Sequence, residues 1–426
     1  MKKALVVGSG AGGSTIAREL QAQGKYQVTI LEAGKEFKPL SWNLKRLAAL
    51  RKTGLFLDER MIQVLFPHMR IRKMSDKLVV VAGKGTGGTT TLATGNALRY
   101  DQDLLALGID LGEEFEALEL ELPITVEHRK HWSALTEELY SACKTRGFDP
   151  QPLPKFLHAE KCVRCGQCVL GCQHGAKWDA CDLLRQAVRA GAELKTGHQV
   201  RRLLMENGQA TGVEVAGVGS LSADVVIVAA GGLDTPVILQ NSGIQCESKL
   251  FVDPVLCVAA PYEGAVLDRQ LPMPFVVQGD RYIISPYFDH LSFFFNNDWK
   301  RPSQNIMSLM IKLADVPQGE VTSGGINKEL VPLDKERLDQ AVQDCQAILG
   351  EVGIAEKDTF LGTLNAGHPG GMLPLTPAEA KTLHNPRLPE NVYVADATLF
   401  PNSLGNPPIL TIMALAKRIA HHICTT

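Results

Sequence analysis

A chain of 426 residues, 45% of them apolar, can bury a large core, and its length favours two connected domains. Charged residues make up 21% and the formal net charge is −2, so there is no basic field for nucleic acid and no acidic tail. No stretch reaches the ~20 unbroken apolar residues of a membrane span.

Lys2-Lys3 precede an apolar run, as in a signal peptide. That run is only Ala4 to Val7 and ends in Gly8-Ser9-Gly10, so it reads as a strand, and the expectation is a soluble, cytoplasmic protein. Residues 13–23 have helix-forming composition and residues 27–31 form a second strand, which completes one βαβ unit. Residues 41–76 are helical in pattern and basic: a packed excursion, or a lid or docking surface. The short runs Arg70-Ile71-Arg72-Lys73 and Arg201-Arg202 read as solvated edges. Residues 78–100 run strand, Gly/Thr-rich turn, helix. A helix is expected near 132–146, then a Cys-rich loop and a helix over 180–190. Strands follow at 193–196, 199–206, 212–216 and 224–230, the last nearly all apolar, as in a central parallel strand. Between 250 and 365, runs such as Tyr282-Ile283-Ile284 and Ser292-Phe293-Phe294-Phe295 predict an antiparallel sheet. The chain closes with a strand at 391–394, a Pro/Gly loop and a helix over 408–423.

The pattern predicts an α/β fold: a discontinuous Rossmann-like dinucleotide-binding domain from residues 1–100, 190–245 and 390–426. Residues 101–189 link its parts and carry the Cys-rich loop, 162–172. Residues 250–375 form an inserted antiparallel-sheet substrate domain.

Gly8, Gly10 and Gly13 occupy the positions of a G-x-G-x-x-G turn, with Gly12 between them. The first glycine permits the tight turn, the second lets backbone approach a pyrophosphate, and the third lets helix and strand pack closely. The phosphates would rest on the helix N-terminus. Glu32 ends the second strand, where a carboxylate accepts ribose hydroxyls and disfavours a 2′-phosphate. That leaves FAD or NAD. A second turn, Gly83-Lys84-Gly85-Thr86-Gly87-Gly88-Thr89-Thr90, suits main chain lying against a flat ring.

These residues resemble the glucose-methanol-choline (GMC) oxidoreductases, a family of FAD enzymes. The resemblance runs through both Gly turns and Glu32. It continues through Ala229-Ala230-Gly231 to Gly243-Ile244, and most specifically through Tyr393-Val394-Ala395-Asp396 to Asn406-Pro407-Pro408 and Thr411 to Ala416. It departs at Thr86, Ala93, Gly232 and Gln245; Asn96 is expected to take over the contact made at the position of Ala93. The chain is short for the family, so a trimmed substrate domain is expected. The resemblance implies FAD, held by Gly8, Gly10, Gly12, Gly13, Glu32, Gly83, Gly87, Gly88, Thr89, Thr90, Asn96, Val200, Asp396 and Pro407. It implies a catalytic pair, His368 as base and Asn406 as holder of the substrate oxygen. The chemistry is sound: a neutral imidazole accepts the hydroxyl proton of an alcohol as hydride leaves carbon.

Cys162-x2-Cys165-x2-Cys168-x3-Cys172 has the spacing that wraps a 4Fe-4S cluster. Gln173 stands where ferredoxins carry Pro, and Cys181 or a distant Cys is an alternative fourth ligand. Zinc usually draws on two separated pairs. Some members of the resembled family keep one or two Cys around Gly171 to Lys177 without metal, so zinc and no metal are the alternatives. A cluster beside a flavin predicts a dehydrogenase of CH-OH groups that feeds a one-electron carrier protein or partner subunit. A ferredoxin-fed reductase of a carbonyl or C=C bond, or a relay subunit without catalysis, are the competing expectations.

Overall fold

The computed structural model describes residues 1–39, 66–74 and 78–425. Ala4 to Val7 are all buried, as a strand covered on both faces of a parallel sheet requires. That strand, Lys2–Val7, lies at the centre of a five-stranded sheet, in the order Val392–Val394, Val225–Val228, Lys2–Val7, Tyr26–Glu32, Glu193–Thr196. Every neighbouring pair is parallel. The chain moves to one side of the first strand through the helix Ala11–Ala22 and returns to the other side much later. The crevice at the strand's carboxyl end is therefore a topological switch point, where doubly wound folds bind ligands.

Helix Ala11–Ala22 buries Ile16, Ala17 and Leu20. It packs against helices Cys181–Arg189 and Ile409–Thr425. A small antiparallel sheet, Val200–Glu206, Gln209–Val215 and Gly219–Ser222, packs against strand Val225–Val228.

The second large sheet runs Met69–Lys73, Val79–Gly83, Asn365–Ala366, Pro254–Pro261, Ile306–Leu313, Tyr282–Pro286, Phe275–Gln278, Gln151–Pro152. Its pairs are antiparallel except that between Val79–Gly83 and Asn365–Ala366. Each sheet has its own hydrophobic core.

Several elements depart from expectation. Residues 70–73 belong to strand Met69–Lys73, which is an edge strand, as expected, but a partly buried one. It and Val79–Gly83 join the antiparallel sheet rather than the dinucleotide sheet. The rest of the predicted 41–76 helical segment, apart from 66–74, lies outside the described residues. The helix expected after residue 83 is a single 3-10 turn, Gly88–Leu92, because Gly85, Gly87 and Gly88 all take positive φ. Ser292 to Phe295 belong to a helix, His290–Phe295, whose start is capped by Asp289 Oδ1 accepting from Leu291 N at 2.9 Å. A long helix, Pro332–Glu351, interrupts the predicted run of strands, with Ala341, Cys345, Ile348 and Leu349 buried. No helix among the described residues is long and apolar enough to cross a membrane.

Candidate functional site

The first strand delivers Gly8 to the crevice with φ +99°, and a Cβ there would lie 2.2 Å from Ala229 O. Gly12 and Gly13 are equally constrained: their Cβ atoms would fall 1.7 Å from Ala395 O and 2.1 Å from Gly8 O. Gly10 differs. A Cβ there would meet nothing within 4 Å. Gly10 caps the helix without a side-chain hydrogen bond, so its turn opens onto space with N–H groups of the helix start unpaired.

That space is a cavity of about 310 Å³. Of the predicted cofactor residues, Gly8, Gly10, Gly12, Glu32, Gly83, Gly88, Thr89, Thr90, Val200 and Asp396 line it. Gly13 and Gly87 stand behind the wall, Gly13 against the first strand and Gly87 against Cys181 Sγ. The two Gly turns touch, since a Cβ on Gly88 would sit 2.9 Å from Gly10 Cα. The Glu32 carboxyl accepts from Ser9 N at 3.2 Å, from Ser9 Oγ and from Gly34 N at 2.7 Å. Burial pushes its pKa up and these bonds pull the other way, leaving a fixed acceptor on the cavity wall. Asp396 Oδ2 accepts from Gly231 N at 2.8 Å and Thr235 Oγ1 at 2.6 Å, which ties the last strand to the turn after Val225–Val228. The shape, the open helix start and the placed carboxylate fit a dinucleotide.

Two lining residues escaped the sequence reading. Arg70 and Arg72 reach the same cavity and pair with Asp234, Arg70 Nη1 at 3.3 Å. The alternation Arg-Ile-Arg was the available signal, since i and i+2 share a strand face.

A second cavity, of about 210 Å³, adjoins the first. Its walls are mostly apolar, with Leu92, Val169, Leu170, Leu291, Phe294 and Phe295 among them. Phe275, Phe288 and Phe293 are core instead. Both cavities are lined by Ala93, Gly367, Pro408 and His368, so His368 stands in their shared wall. Its side chain keeps 27% of its surface accessible, while Nδ1 is buried with no hydrogen-bond partner among the described residues. Asp253 Oδ2 is 3.8 Å from that nitrogen. Burial, and after it the positive charge of Lys312, hold the imidazole well below its ordinary pKa. At neutral pH it is an uncharged base facing both spaces.

Asn406 is placed apart from His368's two cavities. It lines neither cavity, and its Oδ1 accepts from Gln278 Nε2 at 3.0 Å while its Nδ2 donates to Leu404 O at 3.3 Å. Pro407 and Asn96 border the second cavity rather than the first. Asn96 is engaged with the Lys155 ammonium and with Met273 Sδ.

The Cys-rich loop lies against the Gly88–Leu92 turn. Lys177 fastens it there. Its wholly buried Nζ donates to the carbonyls of Thr90 at 3.1 Å, Thr91 at 2.7 Å, Ala93 at 2.8 Å and Cys168 at 3.1 Å. Among the described residues, no three His, Cys, Asp or Glu side chains are placed to hold a metal ion. Cys162, Cys165, Cys168 and Cys172 are free thiols, and the expected 4Fe-4S cluster finds no support in their placement. The loop's winding serves packing: a Cβ on Gly166 would lie 2.1 Å from Asp268 O, and one on Gly171 2.5 Å from Phe37 Cζ. Cys172 Sγ accepts from Lys177 N at 3.4 Å, and Cys181 Sγ donates to Thr86 O at 3.4 Å.

Residues 2–256 match the sequence profile of a family described as GMC oxidoreductase. This chain belongs to the GMC oxidoreductase family. FAD dependence comes with that family. An uncharacterized protein of Methanocaldococcus jannaschii is 24% identical over 98% of both chains. A long-chain-alcohol oxidase of Arabidopsis thaliana is 23% identical over 99% of this chain and 67% of its own length. Pyridoxine 4-oxidase from Mesorbium loti, known from a crystal structure, shares the fold with a TM-score of 0.73 and 18% identity, each chain covered in full. The GMC fold of this chain is thus a parallel dinucleotide sheet with additional antiparallel sheets.

Proposed function

We propose that this GMC oxidoreductase oxidises an alcohol with an apolar body, and that His368 is the base. The observation that carries the reading is the placement of one uncharged imidazole in the wall between a dinucleotide cavity and an apolar one. The alcohol lies in the apolar cavity, with its hydroxyl at His368 and its carbon chain against Leu291, Phe294 and Phe295. Removing a hydroxyl proton while hydride leaves the same carbon yields a carbonyl product. His368 takes the proton. FAD, when bound along the Gly turns, supplies the two-electron acceptor for the hydride. Glu32 and the first Gly turn orient the ribose and phosphates, and the Gly83 to Thr90 turn offers main chain to the ring system. Apolar walls exclude water, which leaves the imidazole as the acceptor for the proton. We assign Asn406 to the support of this wall through Gln278, in place of contact with the substrate.

An apolar alcohol is favoured over a sugar because the second cavity offers few polar partners, and a polyol buried there would leave hydroxyls unsatisfied. The name of the Arabidopsis relative points the same way. The test is a panel of primary alcohols graded in chain length, with glucose as the polyol control. Aldehyde formation is followed with an artificial acceptor under argon, and oxygen uptake is followed in air. The reading expects product from the longer alcohols and none from glucose. Preference for glucose would overturn it. Oxygen uptake against turnover only with the artificial acceptor separates oxidase from dehydrogenase.

A further inference from the structure

Strand Ile306–Leu313 is buried along its whole length and apolar except at Ser308 and Lys312. The Lys312 side chain is 2% exposed and that of its partner Asp253 is 1% exposed. Lysine enters such a place only with strong compensation. The ammonium donates to Asp253 Oδ2 and, at 2.6 Å, to the main-chain oxygen of Asn406. The other carboxylate oxygen of Asp253 accepts from Ser403 Oγ and from Gly405 N at 3.3 Å. One lysine thus joins the Asp253 loop, a central strand and the turn that carries Asn406.

Asp253 is itself held in place. It takes φ +52°, a left-handed conformation uncommon for a residue with a side chain. Its N–H donates to Asp315 Oδ1 at 2.8 Å and the preceding Val252 N–H does so at 3.1 Å. Asp315 is paired in turn with Lys328 at 2.7 Å, both side chains fully buried. This second pair fixes the backbone that aims the Asp253 carboxylate.

The carboxylate then stops short of the base. Asp253 Oδ2 lies 3.8 Å from His368 Nδ1, beyond hydrogen-bond range, and Nδ1 has no other partner among the described residues. A carboxylate free to turn would pair with the imidazole and favour its protonated form. Both oxygens of Asp253 are instead occupied by Lys312, Ser403 and Gly405.

We propose that Lys312 is a positioning residue for the oxidation, holding Asp253 just out of reach of His368 Nδ1 and anchoring the turn behind the cavity. The consequence is a base that waits uncharged. The charged groups facing His368 are Asp253 from the loop before Pro254–Pro261 and Lys312 from Ile306–Leu313, with the Asp315–Lys328 pair behind them. Removing the lysine frees the carboxylate and deletes the nearer positive charge, and both changes stabilise the imidazolium. The inference rests on His368 being the base.

The experiment is a pH titration of the histidine Cε1–H resonances of the FAD-loaded full chain, with His368 assigned by its loss in His368→Asn. In wild type the His368 midpoint is expected well below 6.5. In Lys312→Met it should rise by about one pH unit or more, and Lys312→Arg should restore it. Lys312→Gln keeps the volume and a donor without the charge, and it stands in if the Met variant does not hold FAD. A His368 midpoint unchanged in the neutral variants, or displaced equally by Arg, overturns the proposal. Failure of the underlying reading shows separately, as alcohol-driven flavin bleaching that survives in His368→Asn.

Discussion

Replacing Lys177 by Met should loosen the flavin-facing turn, because that lysine is the fastening between the turn and the Cys-rich loop. Its three N–H donors serve four main-chain carbonyls, on Thr90, Thr91, Ala93 and Cys168, and no carboxylate is among its hydrogen-bond acceptors. Each buried acceptor left unpaired costs ~1–3 kcal/mol. The Cys168 carbonyl keeps the N–H of Gly171 at 3.3 Å, so three acceptors are left, at roughly 3–9 kcal/mol, and removing the burden of a buried ammonium returns several of these. A net loss of about 2–4 kcal/mol follows, placed where the turn lines the cofactor cavity. In a chain of this size that corresponds to about 2–4 °C in melting temperature. The assay is thermal release of flavin fluorescence, with free FAD held at one concentration in excess, since bound ligand raises apparent stability. Lys177→Met should melt early and release FAD early. If it melts within about 1 °C of wild type and keeps its flavin, the fastening argument is wrong. Serine at Cys162 and Cys165 should by contrast leave flavin content unchanged, because Lys177 and not these two thiols fastens the loop to the turn.

Two neighbouring glycines should separate folding from cofactor binding. Gly12→Ala puts a Cβ 1.7 Å from Ala395 O and should lower stability and FAD content together. Gly10→Ala meets no protein atom within 4 Å and should fold as stably as wild type while weakening FAD, read by calorimetric titration. Burial and Lys312 depress the His368 pKa, so the uncharged base persists at neutral pH. The rate of flavin bleaching should accordingly be level above pH 6.5 and fall only well below it, as the imidazole takes a proton; an acid limb centred above 6.5 would contradict this. Phe294→Ala should enlarge the apolar cavity, raising KM for short alcohols and shifting preference to bulkier ones, and an unchanged preference across the alcohol panel would remove Phe294 from the substrate wall.

The parts of the site that could be read from sequence are those made within a few residues of chain. The first strand, its Gly turn, the helix and Glu32 form one local βαβ unit, and their spacing alone places them. The partners of His368 are a different case. Val255 pairs with Lys312 on one side and Asn365 on the other, so strand register brings distant residues around the imidazole. No local pattern announces that register. Asp253 at positive φ is likewise a product of Asp315, 62 residues away. The Phe293 to Phe295 run was ambiguous because short apolar runs suit helix and strand alike. Asp289 as N-cap was the signal that favoured helix. The Cys spacing was legible in another sense: it brings Cys162, Cys165, Cys168 and Cys172 near one another, while the contacts of Gly166 with Asp268 and of Gly171 with Phe37, which set how the loop packs, carry no local signature.

The central claim is that His368 takes the proton of an apolar alcohol as hydride passes to FAD. Its most direct test is the anaerobic loss of the flavin absorbance band on mixing FAD-loaded protein with 1-octanol, compared between wild type and His368→Asn. The account predicts bleaching in wild type, and in the variant full flavin content with bleaching slowed by about 100-fold or more. Bleaching at the wild-type rate in His368→Asn would contradict it.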